Sequence, residues 1–151
     1  GSWSLYALRA LGAGGILTAV DLSPLSRQYD RGLFGGDNFF FIQGDITQDE
    51  TRAAILSRGP FQILLSDAAP ATTGNRQVDT FRSLALAESA LDYAENALEK
   101  GGSLAVKVFQ GGDTAALLSR IRSLFRSAKS FKPRACRSES FEIYYVGLER
   151  R

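Results

Sequence analysis

One lysine stands where hydropathy argues against it. Lys107 interrupts the apolar run Leu104-Ala105-Val106 and Val108-Phe109, placing a four-carbon ammonium inside what otherwise reads as a buried central strand. Only 4 of the 18 cationic residues are lysine, so compositional drift does not account for it. A buried ammonium must pair with a carboxylate or give up its proton, and in the second form it can serve as a base. Asp67 and Glu142, each at a strand end or edge, are candidate partners. The plainer alternative is a strand-edge lysine that snorkels to solvent.

Asp21, Asp45 and Asp67 each follow an apolar run: Ile16 to Val20, Phe39 to Ile42 and Phe61 to Leu65. A carboxylate at a strand end, after a glycine-bearing turn, suits a ribose diol, because two hydroxyl donors match two acceptor oxygens. Asp21 is placed for that, and equally for capping the turn at Ser23-Pro24. Asp45, after Gly44, could accept the exocyclic amine of a purine or cap a helix beginning near Thr47.

Composition removes other chemistries. With no His and a single Cys, Cys136, thiolate-imidazole zinc sites, Ser-His triads and Cys-His dyads are excluded, and no metal site is expected. Any general base must be Asp, Glu, Lys or Tyr. One Cys forms no internal disulfide, which fits a reducing cytoplasm. No uncharged stretch approaches the ~20 residues of a membrane helix, so no membrane partner is expected. The 151 residues suit one domain. The chain opens Gly1-Ser2 and lacks Met, so an N-terminally incomplete domain is expected. Charge is unevenly spread: residues 1–114 hold 9 basic and 13 acidic side chains, residues 115–151 hold 9 and 3. That asymmetry suggests a polyanion such as nucleic acid, although Arg120, Arg122 and Arg126 read more simply as a solvated helix face.

The elements that must position these groups alternate. Trp3 to Leu11 reads as a short helix stopped by Gly12, and Asp49 to Arg58 as another. Asp79 to Lys100 carries apolar residues at helical spacing up to a Gly101-Gly102 stop. Ser103 to Phe109 is the strand holding Lys107, Thr114 to Phe125 an amphipathic helix, and Glu142 to Leu148 a further strand after a turn at Pro133. Such an order implies an α/β fold, a mostly parallel sheet with helices on both faces. Ligands then sit beyond the carboxyl ends of the strands, where Asp21, Asp45 and Asp67 should converge.

Taken in order, Ser66-Asp67-Ala68-Ala69-Pro70, Gly74, Val78-Asp79, Gly101-Gly102-Ser103, Val106-Lys107-Val108-Phe109-Gln110-Gly111, Arg137-Ser138 and Glu142-Ile143-Tyr144 closely resemble the RrmJ/FtsJ family of RNA ribose 2'-O-methyltransferases. The resemblance covers nearly the whole chain. It implies a Rossmann-like, S-adenosylmethionine-dependent fold with the N-terminal strand and helix truncated, and a Lys-Asp-Lys-Glu catalytic tetrad. Asp67, Lys107 and Glu142 match its last three members, and the first Lys would lie in the missing segment. By the same resemblance Gly1 and Trp3 would flank the methionine part of the cofactor, Asp21 and Leu22 the ribose, and Asp45 and Ile46 the adenine, with Asp67 facing its cationic end.

Lys107 is then expected as base, with Asp67 orienting it and Glu142 positioning the lysine or the ribose. Lys132, Arg134 and Arg137 would neutralise RNA phosphates. The expected substrate is a uridine of large-subunit ribosomal RNA, met within the ribosomal particle by a cytoplasmic monomer. Transfer RNA is the nearest enzymatic alternative. A non-catalytic RNA-binding assembly module would instead keep the fold without turnover, and a dinucleotide-dependent oxidoreductase on a similar sheet ranks last.

Overall fold

The computed structural model describes residues 2–12, 14–111, 113–132 and 141–151. The chain forms two compact units, residues 1–58 and 59–151, each built around its own sheet.

In the first unit, α1 (Ser2–Ala10) precedes the parallel pair β1 (Leu17–Asp21) and β2 (Phe39–Gln43), and α2 (Asp49–Leu56) follows. Leu8 of α1 packs with Phe34 and Phe39, and with Leu17 and Ala19, on one face of the pair. On the alternate face Arg58, just past α2, lies over the Phe40 ring at 4.0 Å. Helix α1 ends at Ala10, and both strands end where the apolar runs give way to polar residues.

The second unit holds β3 (Phe61–Ser66), α3 (Arg76–Ala97), β4 (Leu98–Phe109), α4 (Thr114–Leu124), β5 (Phe125–Phe131) and β6 (Glu142–Arg150). Its sheet runs β3-β4-β6-β5, with β3 parallel to β4 and the other two pairs antiparallel. Alternation along β4 sends Leu104, Val106 and Val108 toward α3 and α4, where they meet Ala87, Leu91 and Ala94 of α3 and Leu117 and Ile121 of α4. The alanines at helical spacing let α3 approach the sheet closely. Tyr145, opposite Val106, seals the same core and donates its hydroxyl to Thr114 O at 3.1 Å. Lys107, one residue out of phase, belongs to the other face.

Two sequence expectations change here. Gly101-Gly102 does not stop a helix: α3 ends at Ala97 and the chain is already extended from Leu98. The pairing slips between Phe61↔Leu98 and Ile63↔Ser103, so the glycines form a bulge in β4. A Cβ at position 102 would lie 2.9 Å from Glu99 O and 3.1 Å from Gln62 O, and Gly101 has φ +83°, so both positions require glycine. Second, Phe125 to Phe131 is a strand, which the polar Arg126, Ser127, Lys129 and Ser130 concealed. It lies at the sheet edge, where only one side needs an apolar partner. The helices of this unit cover one sheet face, whereas those of the first unit lie on both, in keeping with the expected α/β class.

The far end of β4 is tied to α3 by Ser83, a buried hydroxyl that accepts the Phe109 N–H at 3.0 Å. Ser83→Ala leaves that N–H without its acceptor. The substitution is expected to lower unfolding free energy by about 1–3 kcal/mol, read from the urea midpoint, and an unchanged midpoint would show that the strand end is held otherwise.

Candidate active site

Lys107 is 8% exposed, and its amine is met from both neighbouring strands. Nζ lies 2.9 Å from Asp67 Oδ1, one residue past β3, and 3.7 Å from Glu142 Oε1, the first residue of β6. The Asp67 and Glu142 side chains are 40% and 35% exposed, the Lys107 side chain 10%. The expected pairing is thus made, and the snorkelling alternative fails because apolar strand on either side confines the lysine stem. A nearly buried cation needs these acids, since an unpartnered charge in such a place costs several kcal/mol.

The start of β6 is pinned so that Glu142 stays near the amine. The Gln110 N–H donates to Phe141 O at 2.6 Å. The Phe141 ring meets Phe109 edge-on at 4.6 Å, with the Arg76 guanidinium 5.4 Å from its centroid. Two residues along β6, and on the face that Glu142 shares, the Tyr144 hydroxyl donates to Asp67 Oδ1 at 3.2 Å. Sequence reasoning gave Tyr144 no task, although the alternation Glu142-Ile143-Tyr144 was a visible signal for two side chains on one side.

The segment after Asp67 is fastened by a second carboxylate. Asp79, buried in the first turn of α3, accepts the Thr73 N–H and hydroxyl, both at 2.8 Å. Asn75 caps the helix by accepting the Gln77 and Val78 N–H groups at 3.0 and 3.3 Å. The Asp79 carboxyl is held below its ordinary range, foremost by the Thr73 N–H and against the opposing effect of burial, with the Thr73 hydroxyl, the Gly74 N–H and Arg82 adding to it.

Among the expected cofactor residues, Asp21 ends β1 and its Oδ1 accepts the Ser23 N–H at 2.9 Å, the turn-capping geometry. Leu22 beside it is 68% exposed. Asp45 accepts the Thr47 N–H and hydroxyl at 2.9 and 2.8 Å through Oδ1, and these bonds lower its pKa from the ordinary carboxyl value. It closes a turn ahead of α2, whose N-cap is Gln48. The Gly44 N–H donates to Asp21 O at 2.9 Å, tying the ends of β1 and β2 together. Ile46 and Trp3 are half-buried. Asp21 and Asp45 belong to the first unit, Asp67 to the second. Gly1, Arg134 and Arg137 lie outside the described residues, and Lys132 is exposed.

Part of the C-terminal basic excess is engaged in contacts within the second unit. Arg120 bridges Asp92 at 2.7 Å and Glu95 at 2.8 Å, which raise its pKa further, Glu95 foremost. Arg126 pairs with Glu149 at 3.4 Å. Arg150 donates to Leu98 O and, at 2.6 Å, to Glu95 O, closing the end of α3. Among the described residues no group of three or more His, Cys, Asp or Glu could hold a metal, and no helix is long and apolar enough to cross a membrane.

The model of the FtsJ-like methyltransferase family matches residues 1–150. The chain belongs to that family. A protein of Treponema denticola named ribosomal RNA large subunit methyltransferase E is 50% identical over 150 residues, covering 99% of this chain and 72% of the relative. Its namesake in Borreliella afzelii is 45% identical, covering 97% and 74%. Among solved structures, a chain described as a ribosomal RNA methyltransferase from Plasmodium falciparum superposes with TM-score 0.77 at 25% identity, covering 99% of this chain and 81% of that one. The reaction class of this FtsJ-like chain is therefore methyl transfer.

The lowered Asp79 pKa sets an acid dependence. A depressed folded-state value contributes stability that is present above the ordinary 3.8 and lost as the pH falls through the lower folded value. Urea midpoints between about pH 3 and 6 should fall toward acid in the native protein and less steeply in Asp79→Asn. Equal slopes would remove Thr73–Asp79 as a source of that dependence.

Proposed function

We propose that this protein transfers a methyl group from S-adenosylmethionine to the ribose 2'-hydroxyl of a uridine in large-subunit ribosomal RNA, acting in the cytoplasm as a monomer on the ribosomal particle. The observation that carries the reading is the Lys107 amine, nearly buried and held by Asp67 and Glu142. The relatives' names, which specify large-subunit ribosomal RNA, support the substrate class. The family match runs through both compact units, which supports treating them as one methyltransferase domain.

The residues present suit the cofactor. Asp21 has one oxygen on the Ser23 N–H and a second for a ribose hydroxyl, and exposed Leu22 offers an apolar contact beside it. Asp45, fixed by Thr47, suits an exocyclic amine; by the family resemblance Ile46 would contact the base, and Gly1 and Trp3 the methionine end. When bound, S-adenosylmethionine supplies an electrophilic methyl carbon on a sulfonium. Asp67 offers negative charge to that cation, and its Oδ1 holds both Lys107 and Tyr144 in place.

A 2'-hydroxyl is a feeble nucleophile. In its neutral form the Lys107 amine takes that proton as the oxygen–carbon bond forms and becomes the ammonium that Asp67 and Glu142 hold in place. Most of the acceleration comes from holding oxygen, carbon and sulfur in line. By the same reading Lys132, Arg134 and Arg137 would neutralise RNA phosphates.

Incubation with labelled S-adenosylmethionine and large ribosomal subunits tests the reading. Lys107→Ala is expected to cut transfer by about 100-fold or more while leaving cofactor affinity nearly unchanged, and a variant with near-native turnover would remove the base assignment. Asp21→Ala should instead weaken cofactor binding, by about 10-fold or more for a lost charge-assisted hydrogen bond. Unaltered affinity in calorimetry would return Asp21 to a turn-capping role alone.

A further inference from the structure

An exposed aromatic side chain lies in line with the reacting amine. Phe131, the last residue of β5, is opposite Tyr144 of β6, and Tyr144 is opposite Lys107 of β4. Directly opposed residues of antiparallel strands project to the same face, so the three form one row across the sheet. Neighbouring strands lie about 4.8 Å apart, so about 10 Å separates Phe131 from Lys107 along that row. The middle of the row is occupied by Tyr144, whose hydroxyl reaches Asp67. The outer end is a ring left 57% exposed.

Ile63, Leu65 and Leu148 are also exposed, and by alternation they share this face. They lie in rows farther from the carboxyl end of β4, and none has a π face. Phe131 alone among the four stands level with Lys107. It is also the one set among cations: Lys129, two residues back on the same face, and Lys132, next in sequence, are both exposed. An aromatic ring among lysines is the combination that holds single-stranded nucleic acid, the ring stacking on a base while the amines meet phosphates. An aliphatic partner would gain nothing from those charges.

We propose that Phe131 is a stacking platform for the nucleobase neighbouring the target ribose, with Lys129 and Lys132 on the adjoining phosphates. The proposal rests on the reading of Lys107 as the amine that meets the 2'-hydroxyl. Stacking at the outer end of the row sets how far the strand runs past Lys107, and so which ribose stops there. Because every base has a π face, Phe131 sets register and affinity rather than base identity.

Binding of fluorescein-labelled oligouridine, followed by anisotropy, tests this with Phe131→Ala, Phe131→Leu and Phe131→Trp. Alanine and leucine are expected to weaken binding by about 5- to 100-fold, and tryptophan to retain it. The slope of affinity against salt should stay as in the native protein, since no charge is removed, whereas Lys129→Gln should lower it by about one. Leucine preserves apolar volume at the strand edge, so the contrast between leucine and tryptophan decides even where alanine unfolds. Leucine binding as tightly as phenylalanine, or a native protein that does not bind oligouridine, overturns the platform. Methyl transfer to ribosomal subunits is read in parallel: RNA binding that depends on Phe131 without transfer would sink the proposed reaction and leave the platform standing. With transfer intact, the alanine and leucine variants should raise the KM for RNA by a larger factor than they lower kcat.

Discussion

Putting an ammonium into an apolar strand loses the water that solvated it, and nothing inside a sheet core replaces that water except an anion in direct reach. The second unit is arranged around this constraint. Strand β4 lies between β3 and β6, so the carboxylates can come from both sides: Asp67 from the end of a parallel neighbour, Glu142 from the start of an antiparallel one. The helices press on the other face, through Leu104, Val106 and Val108, which leaves the face of Lys107 for polar work. The same alternation that buries three apolar side chains therefore delivers one amine to two acids.

Around that contact, polar groups chiefly hold backbone. Asp79 secures the segment after Asp67, Ser83 the far end of β4, and Gln110 with Phe141 the approach to Glu142. Arg120 and Arg150 act in the same way at a distance, joining α4 and β6 to α3. The charge asymmetry of the chain thus has two parts. Some arginines are internal fasteners with acids or carbonyls opposite them, and Lys129 and Lys132 are exposed beside Phe131.

The places where sequence reading failed share a cause. Gly101-Gly102 suggests a helix stop as readily as a strand bulge, because both use glycine to let backbones approach or φ turn positive. The polar stretch after Phe125 hides an edge strand, since one apolar side suffices there. Asp21 and Asp45 are a different case: both read in sequence as ligand carboxylates and as turn formers, and the turn-forming bonds of the structure are compatible with either role. Tyr144 was passed over because its value depends on Asp67, 77 positions away in the chain.

Residue types alone settled which chemistry was available: without His, and with one Cys, a proton acceptor had to be lysine, tyrosine or a carboxylate, and a charge inside an apolar run had to be paired. The apolar runs likewise determined where most strands lie and which carboxylates follow them. Tertiary structure decided which acids reach Lys107, that β6 and β5 run antiparallel, and that Phe131 stands level with the amine. Periodicity reports the face a side chain takes along its own strand, whereas register and strand order arise from packing between segments far apart in sequence.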